Sequence, residues 1–248
     1  MTRTVHDGKV AVVAGAGRGI GRAVTERLSA DGATVVVNYA RSQGAAQALV
    51  AAIHDRGGRA AAVRADMGRV DQVRFLFAEV DRLFGRLDIL VNNAAVTKGA
   101  LLDEVGESLF DEMLAVNVKG ALFVGQEAAR RLVPGGRIVN ISSSTTLFAM
   151  AGASLYAGGK AALKTFTEVW AKELGPRGIT VNTVLPGPTS PGGFDDAPPE
   201  LRDRAAAASP FGRIGTAAEV AAVVAFLCSE DARWISGQHL LVNGAASI

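Results

Sequence analysis

The chain has 248 residues, of which 49% are hydrophobic and 6% aromatic, and its formal net charge is +2. This length suits one large α/β domain or two small ones, with an aliphatic core. The basic residues are scattered, which excludes a nucleic-acid surface because such a surface needs clustered lysine and arginine. No apolar run approaches the ~20 residues needed to span a bilayer, so no membrane partner is expected.

The single cysteine, Cys228, excludes an internal disulfide and indicates a reducing compartment. The first nine residues, MTRTVHDGK, are polar and lack the apolar stretch of a signal peptide. We therefore expect a cytoplasmic protein. The three histidines show no metal-ligand spacing, so no metal site is predicted.

Short apolar runs alternate with longer amphipathic stretches along the chain. In order, the runs are KVAVVAG, ATVVVNY, RAAAVRAD, LDILVNN, GRIVNIS, GITVNTVLP and GQHLLVNG. The helical patterns between them include residues 20–30 and a long segment over about 108–132. Seven strand candidates separated by helices predict a parallel sheet, and their continuous apolar character predicts helices on both faces. The fold expected over residues 1–248 is therefore a single α/β domain of the Rossmann type, with a doubly wound parallel sheet of about seven strands.

One region interrupts the alternation. Residues 186–199, PGPTSPGGFDDAPP, hold five of the eight prolines and cannot continue a helix or a central strand. The region follows the sixth strand candidate, at the carboxyl edge where doubly wound sheets bind ligands. A surface loop is one interpretation. A substrate-covering lid over about 186–210 is favoured, because long loops in compact domains tend to be functional.

The first strand candidate ends in the glycine-rich stretch AGAGRGIG. Its pattern is Gly-x-x-x-Gly-x-Gly rather than G-x-G-x-x-G. Glycines permit a tight turn and let backbone N–H groups approach a pyrophosphate at a helix N-terminus. A turn packed closely for steric reasons is the alternative, but the position after the first strand favours a dinucleotide site. The residues expected to contact the cofactor here are Gly15, Gly17, Arg18, Gly19, Ile20 and Gly21.

The end of the second strand candidate indicates which dinucleotide binds. An NAD site usually has an acidic residue there for the ribose 2′-OH. Here the residues are Asn38, Tyr39, Arg41 and Ser42, with no acid, and Arg18 in the glycine turn can reach the same corner. A 2′-phosphate is a dianion that arginines hold best. Two arginines at one corner favour NADP(H) over the alternative that both are ordinary surface residues.

Four motifs follow one another along the chain: the glycine turn, NNAA at 92–95, SSS at 142–144, and Tyr156 with Lys160 one helical turn apart. In this order and spacing the sequence resembles the short-chain dehydrogenase/reductase family over essentially its whole length. The segments VTKGALL and KELGPRGITVN resemble its 3-oxoacyl-carrier-protein reductase branch. The resemblance implies an oxidoreductase that interconverts a carbonyl and a secondary alcohol by hydride transfer from a nicotinamide cofactor.

The resemblance also implies roles for the matched residues. Tyr156 is expected to be the catalytic acid and base, and Lys160 to favour the phenolate and bond the nicotinamide ribose. Ser143 is expected to hydrogen-bond the substrate oxygen, with its two neighbours as competing choices. Asn117, in VNVKG, matches the asparagine that interrupts its helix and holds a water leading to the lysine. The competing serines are Ser142 and Ser144.

Further cofactor contacts are implied on the other strands. Asp66 is expected to contact the adenine, and Asn92 to shape the floor of the cofactor site. The remaining expected contacts are Met67, Ala94, Pro186, Gly187 and Thr189. Three positions depart from the family pattern, namely Ala14, Ala95 and Pro191. Because Pro191 stands where a threonine usually touches the carboxamide, Thr189 or Ser190 is expected to replace it.

The expected partner is a small carbonyl or alcohol, and the resemblance implies a homotetramer or a homodimer formed through the helix of Tyr156. A different class is a non-catalytic dinucleotide sensor on the same fold. Such a sensor has little need of the serine, tyrosine and lysine together, and a panel of carbonyl compounds mixed with NADPH separates the two classes. Substrate specificity is expected in residues 97–102, 145–155 and 186–210.

Overall fold

The structure is a computed structural model that describes residues 5–195 and 197–246. Its main sheet has seven parallel strands in the order β3-β2-β1-β4-β5-β6-β9. These strands are β1 (Val10–Ala14), β2 (Thr34–Tyr39), β3 (Arg59–Arg64), β4 (Leu87–Asn92), β5 (Leu132–Ile141), β6 (Thr180–Pro186) and β9 (His239–Val242). The short strands β7 (Thr189–Ser190) and β8 (Gly215–Thr216) form a separate parallel pair.

Eight α-helices connect and cover the strands in the described ranges. They are α1 (Gly19–Ala30), α2 (Gln43–Asp55), α3 (Val70–Phe84), α4 (Glu107–Leu114), α5 (Ala121–Arg131), α6 (Ser154–Leu174), α7 (Pro199–Ala207) and α8 (Ala217–Leu227). None of the described helices is long and apolar enough to cross a bilayer.

The side chains of β1 show why its sequence is apolar at every position. Val13 belongs to a buried cluster with helices α1, α2 and α8, whereas Val12 belongs to a second cluster with α3 and α5. Consecutive side chains of a strand point to opposite faces, so a strand covered on both faces must be apolar throughout. The predicted doubly wound α/β fold is confirmed.

The strand order reverses at β1. Val13 pairs with Val37 of β2 on one side and with Val91 of β4 on the other. The chain therefore winds away from β1 in both directions, and the two first crossovers leave a crevice at the carboxyl ends of β1 and β4. Ligands of open α/β sheets bind at such a switch point.

The helix predicted over about 108–132 is divided. Helix α4 ends at Leu114, a π-helical turn occupies Ala115–Gly120, and α5 follows, so β5 begins already at Leu132. A π-helical turn widens the helix by one residue per turn and is frequent at functional sites. Gly120 packs so closely on the Met67 carbonyl that a Cβ could not be placed there.

The proline-rich region is more ordered than the sequence predicts. Strand β7 lies inside it, pairing Thr189 with Gly215, and α7 begins at Pro199. A proline fits the first turn of a helix because its missing N–H has no partner there anyway. Asp196 of this region lies outside the described residues.

Candidate active site

A cleft of about 1060 Å³ opens at the carboxyl edge of the main sheet. All the residues predicted for the site line this cleft except Gly21, Asn92 and Asn117. Each of these three lies directly behind a lining residue and is described below.

The glycine turn joins β1 to α1 in a conformation that needs its glycines. Gly15 and Gly19 have positive φ angles of 69° and 54°, in the left-handed region that side chains disfavour. A Cβ on Gly15 would lie 2.9 Å from Ala94 Cα. A Cβ on Gly21 would overlap the Gly15 carbonyl oxygen and lie 2.6 Å from Asn93 Nδ2. Gly21 thus shapes the turn from behind and leaves the α1 N-terminus open for an anion.

Two arginines line the cleft at the far end of the turn. Arg18 and Arg41 are both exposed and both line the cleft, and Ser42 lies beside them. A Cβ on Gly17 would lie 3.4 Å from Ser42 Cβ, so the glycine turn and the β2–α2 connection touch. The corner therefore has two exposed guanidinium groups, which suit a phosphate, and the charge of Arg18 also reaches Asp195, whose pKa it helps to lower.

Asn38 and Asp66 fix the backbone on either side of this corner through side-chain hydrogen bonds. The Asn38 side chain accepts a hydrogen bond from the Gly15 N–H at 3.1 Å and donates to the Ala65 carbonyl at 2.9 Å. It is 1% exposed, so it fixes the turn on β2 and β3. Asp66 accepts from the Gly68 N–H at 2.9 Å and faces the cleft beside Met67.

The two asparagines of NNAA point in opposite directions. Asn92, at the end of β4, is 2% exposed and donates to the Ala121 carbonyl at 3.1 Å, away from the cleft. Asn93 instead lines the cleft and donates to the carbonyls of Ala14 and Gly15, at 3.1 and 2.9 Å. Asn92 therefore lies behind the cleft, and the neighbouring Asn93 lines it.

The three consecutive serines after β5 have different environments. The Ser142 hydroxyl donates to the Lys160 carbonyl at 2.8 Å, so its proton is not available to a molecule bound in the cleft. Ser143 lines the cleft, and its oxygen accepts from the Thr145 N–H at 3.2 Å and from the Thr145 hydroxyl at 2.9 Å. The Ser143 proton is left to donate towards the phenol of Tyr156. Ser144 also lines the cleft.

Tyr156 and Lys160 occupy one face of α6, as their spacing predicts. Lys160 Nζ lies 5.9 Å from the centre of the Tyr156 ring and donates to the Ile141 carbonyl at 2.7 Å. Complete burial lowers the pKa of Lys160 to about 8. Burial raises the pKa of Tyr156, while hydrogen bonds from Ser143 and Thr97 oppose the rise.

These shifts differ from the expectation that Lys160 draws the phenol towards its ionised form. Burial disfavours a charge on either group, and on Tyr156 it outweighs the hydrogen bonds. The phenol is therefore protonated at neutral pH, and Lys160 is largely protonated below its pKa of about 8. A protonated phenol is the form that an acid catalyst of carbonyl reduction requires.

Asn117 lies in the π-helical turn behind the cleft. Its side chain accepts from the Val96 N–H at 2.8 Å and donates to the Val96 carbonyl at 2.9 Å. Gly159 of α6 packs against it, since a Cβ there would lie 3.1 Å from Asn117 Cβ. The interruption of the helix thus turns Asn117 inward, where it clamps the connection after β4.

The segment after β6 covers the glycine turn. A Cβ on Gly19 would lie 3.0 Å from Gly192 Cα. Asp195 holds this segment by accepting from the Ser190 hydroxyl at 2.6 Å and from the Gly192 N–H at 2.7 Å. The Thr189 hydroxyl donates to the Gly187 carbonyl at 2.8 Å. Of the two hydroxyls considered for the carboxamide, only that of Thr189 lies in the cleft lining.

The other end of the cleft is wide and mostly apolar. Its walls come from the connection after β5 and from the segment after β6, and they combine large and very small side chains. The sequence predicted both regions as specificity loops but not which side chains face inward. These side chains are Phe148, Ala149, Met150, Ala151 and Phe194.

A glycine turn at the switch point of a doubly wound sheet, with a phenol, a hydroxyl and a buried amine in the same cleft, defines a dinucleotide-binding oxidoreductase. The family profile described as enoyl-(acyl carrier protein) reductase matches residues 15–246. An uncharacterised oxidoreductase of Methylorubrum extorquens is 44% identical over 96% of this chain and 97% of its own. The chain belongs to the short-chain dehydrogenase/reductase family.

Solved structures of similar proteins agree with this assignment. A short-chain dehydrogenase from Burkholderia cenocepacia in complex with NADP is 42% identical, with a TM-score of 0.94 over 98% of this chain and 100% of that one. The angucycline C-6 ketoreductase LanV with bound NADP is 41% identical, with a TM-score of 0.93 over 97% of this chain and 96% of its own.

Proposed function

We propose that the protein is an NADPH-dependent ketoreductase in which Tyr156 protonates the carbonyl oxygen. The observation that carries the proposal is the convergence of the Tyr156 phenol, the Ser143 hydroxyl and the Lys160 amine in one cleft with the glycine turn. The glycine cradle and the open α1 N-terminus fit the pyrophosphate of a dinucleotide. When bound, the reduced cofactor supplies a hydride to the carbonyl carbon.

The residues of this chain have separable tasks in that reaction. Ser143 donates a hydrogen bond to the substrate oxygen and holds it near the phenol, because its own oxygen is already occupied by Thr145. Tyr156 then transfers its proton to that oxygen as negative charge develops there. The ammonium of Lys160, below its pKa of about 8, stabilises the phenolate that remains.

The exposed arginines support the choice of NADPH over NADH. Arg18 and Arg41 face the corner where the ribose 2′ position is expected, and no acidic residue stands at the end of β2 to repel a phosphate. Two similar proteins also carry NADP in their crystal structures. We assign both guanidinium groups to the 2′-phosphate.

Arg41→Ala is expected to weaken NADPH binding about 10- to 100-fold, since a charged hydrogen bond contributes about 1.5–3 kcal/mol. Binding of NADH, which lacks the phosphate, should change little. Titration calorimetry with both cofactors measures the two affinities. Arg22→Ala is the control, because Arg22 is exposed on α1 and pairs with Glu26 at 3.0 Å. Equal losses for NADPH and NADH in Arg41→Ala would refute the assignment.

The substrate end of the cleft suits a bulky ketone. Phe148, Met150 and Phe194 give broad apolar surfaces, and the small residues between them leave room for a ring system. The likeness to an angucycline ketoreductase supports a polycyclic aromatic ketone. The resemblance to the 3-oxoacyl-carrier-protein reductase branch supports a 3-oxoacyl thioester as the second candidate.

A substrate panel tests the proposal and separates these classes. The protein is mixed with NADPH and with polycyclic aromatic ketones, 3-oxoacyl thioesters or simple diketones, and the loss of reduced-cofactor absorbance is followed. We expect turnover, fastest with the polycyclic ketones. Tight NADPH binding without turnover of any carbonyl would instead support a dinucleotide sensor.

Closure and assembly are inferred from the same surfaces. We assign the segment over 186–210 as a lid, because Gly192 already lies against the glycine turn.

A homotetramer or a homodimer formed through α6 and its neighbours is supported by exposed apolar side chains on adjacent helices. These are Phe110, Leu122 and Val169, which are 44%, 38% and 46% exposed.

A further inference from the structure

The end of β5 holds both the side chain and the main chain of Lys160. The Lys160 ammonium donates to the carbonyl of Ile141, the last residue of β5, at 2.7 Å. In the opposite direction, the Ser142 hydroxyl donates to the Lys160 carbonyl at 2.8 Å. Ile141, Ser142 and Lys160 are only 4%, 3% and 2% exposed, so both hydrogen bonds are shielded from water. One residue of α6 is thus tied to two consecutive residues of the sheet.

The Ser142 hydroxyl starts from a fixed backbone. The Ser142 N–H donates to the Val184 carbonyl of β6 at 2.8 Å, which continues the pairing of β5 with β6. A hydroxyl has one proton to donate, and that of Ser142 goes to the Lys160 carbonyl. Ser142 therefore has no task in the proposed reaction as described so far, although it borders the cleft.

A second polar contact joins α6 to the sheet farther from the cleft. Asn140 Nδ2 donates to the Thr167 hydroxyl at 2.8 Å, and that hydroxyl lies 2.6 Å from the Thr183 hydroxyl of β6. Asn140 and Ser142 are two residues apart, so their side chains leave the same face of the sheet. The helix is thus anchored at two levels, and only the Ser142 level adjoins the catalytic amine.

The position of the Lys160 ammonium matters because a buried charge needs well-placed partners. An ammonium has three N–H donors, and the Ile141 carbonyl takes one of them. Lys160 Nζ also lies 5.9 Å from the centre of the Tyr156 ring. Groups of a catalytic site must be held within about 0.5 Å of their productive geometry. A displacement of the Lys160 main chain would move Nζ relative to both partners.

The charged groups around Lys160 do not replace these contacts. Tyr156 is the titratable side chain beside the ammonium, and burial raises the pKa of its phenol, which is therefore uncharged at neutral pH. The charged side chains on α4 and on the π-helical turn near this part of α6 are paired or exposed; they are Glu112, which pairs with Lys98 at 2.6 Å, and the exposed Lys119.

We propose that Ser142 is a positioning residue, which bonds the Lys160 carbonyl and thereby keeps the Lys160 ammonium at the Ile141 carbonyl and beside Tyr156. In the reduction the Tyr156 O–H bond breaks, its proton joins the carbonyl oxygen of the substrate, and the electron pair stays on the phenolate. The ammonium held in this way stabilises the phenolate until solvent returns the proton. The proposal rests on the proposed ketone reduction.

Ser142→Ala tests the proposal by removing the hydroxyl and keeping a small side chain. We expect kcat for ketone reduction to fall about tenfold, as for the loss of one buried hydrogen bond. The basic limb of the kcat profile should move to lower pH, because a hydrogen bond to the charged form favours that form and the bond to Ile141 is loosened.

Thr167→Val is the comparison, since it removes a buried hydroxyl from the other anchor of the same helix, outside the cleft lining. Both variants should unfold at lower temperature than the unaltered protein, but the basic limb should move only in Ser142→Ala. A basic limb that stays in place in Ser142→Ala, or one that Thr167→Val moves equally, would overturn the positioning role.

A spectroscopic arm uses the protein without cofactor or substrate. Lysine enriched in ¹³C at Cε reports its own ionisation by NMR, and Lys160→Met identifies the signal of Lys160. This signal should titrate at about 8 in the unaltered protein, at lower pH in Ser142→Ala, and unchanged in Thr167→Val. An unchanged titration in Ser142→Ala would overturn the proposal. A lowered titration in a protein that reduces no carbonyl would refute the ketoreductase function and leave the hold on Lys160 supported.

Discussion

Tyr156→Phe is expected to lower ketone turnover by at least ~100-fold, within the range of about 10² to 10⁴ that a positioned general acid contributes. The substitution removes the hydroxyl that gives the proton in the proposed reaction and leaves the ring. Burial keeps the phenol protonated at neutral pH, so the lost group is in its active form. Steady-state kinetics with NADPH and the best ketone of the panel measures the effect.

The same variant should bind NADPH as tightly as the unaltered protein, because the phenol makes none of the proposed contacts to the 2′-phosphate or pyrophosphate. Ser154→Ala is a matched control. It also removes one hydroxyl from α6, but Ser154 is exposed at the start of the helix, outside the cleft lining. Turnover retained in Tyr156→Phe would show that another group supplies the proton.

Gly21→Ala is expected to weaken cofactor binding although Gly21 lies outside the cleft lining. The new Cβ overlaps the Gly15 carbonyl and lies 2.6 Å from Asn93 Nδ2, so the turn or the floor must move. Overpacking of this kind costs about 1–3 kcal/mol of folding stability. Because the turn itself forms the pyrophosphate site, NADPH affinity should fall by at least about tenfold. Thermal unfolding and calorimetric titration measure the two effects.

Gly44→Ala provides the comparison. Gly44 lies on α2, in the same half of the domain, and a Cβ there meets nothing within 4 Å. Alanine in place of a helical glycine should stabilise the protein by about 0.5–1 kcal/mol and leave NADPH affinity unchanged. Similar cofactor affinities in the two alanine variants would contradict the steric account of Gly21.

The strands and most helices could be predicted because their signals are local. Each strand of the main sheet except β5 lies within an apolar run of the sequence, and glycines or polar residues separate these runs from the helices, whereas β5 begins at Leu132, before its run GRIVNIS. The division of the helix over 108–132 could not be predicted in this way. The π-helical turn depends on contacts with distant residues, namely Gly120 on Met67 and Asn117 on Val96.

Helix α7 was missed for a different reason. Five prolines made the surrounding region a predicted loop, and the helix has no buried residue whose periodicity could reveal it. Its start at Pro199 obeys the rule that proline fits the first helical turn. Exposed short helices of this kind leave little pattern in a sequence.

The residues of the candidate site were predicted one by one from motif order, but the sequence does not give the directions in which their side chains point. Asn92 and Asn93 are adjacent, and the alternation of a strand sends them to opposite sides. A motif does not say which of the two faces the cleft.

The ionisation of Tyr156 and Lys160 also could not be predicted without the structure. Spacing alone places Lys160 next to Tyr156 and suggests a lowered phenol pKa. Burial is a property of the whole fold, and here it raises the pKa of Tyr156 and lowers that of Lys160 to about 8. The raised pKa keeps the Tyr156 phenol protonated near neutral pH, which is the form that the proposed ketone reduction requires.

The central claim is that the cleft carries out hydride transfer to a ketone with protonation of its oxygen. Its most direct test uses NADPH deuterated at the transferred position of the nicotinamide, together with the best ketone of the panel. The account predicts an alcohol with deuterium on the former carbonyl carbon, from one face only, and formation of this product at least ~100-fold more slowly with Tyr156→Phe. An alcohol without deuterium, or no alcohol from any ketone or thioester despite tight NADPH binding, would contradict it.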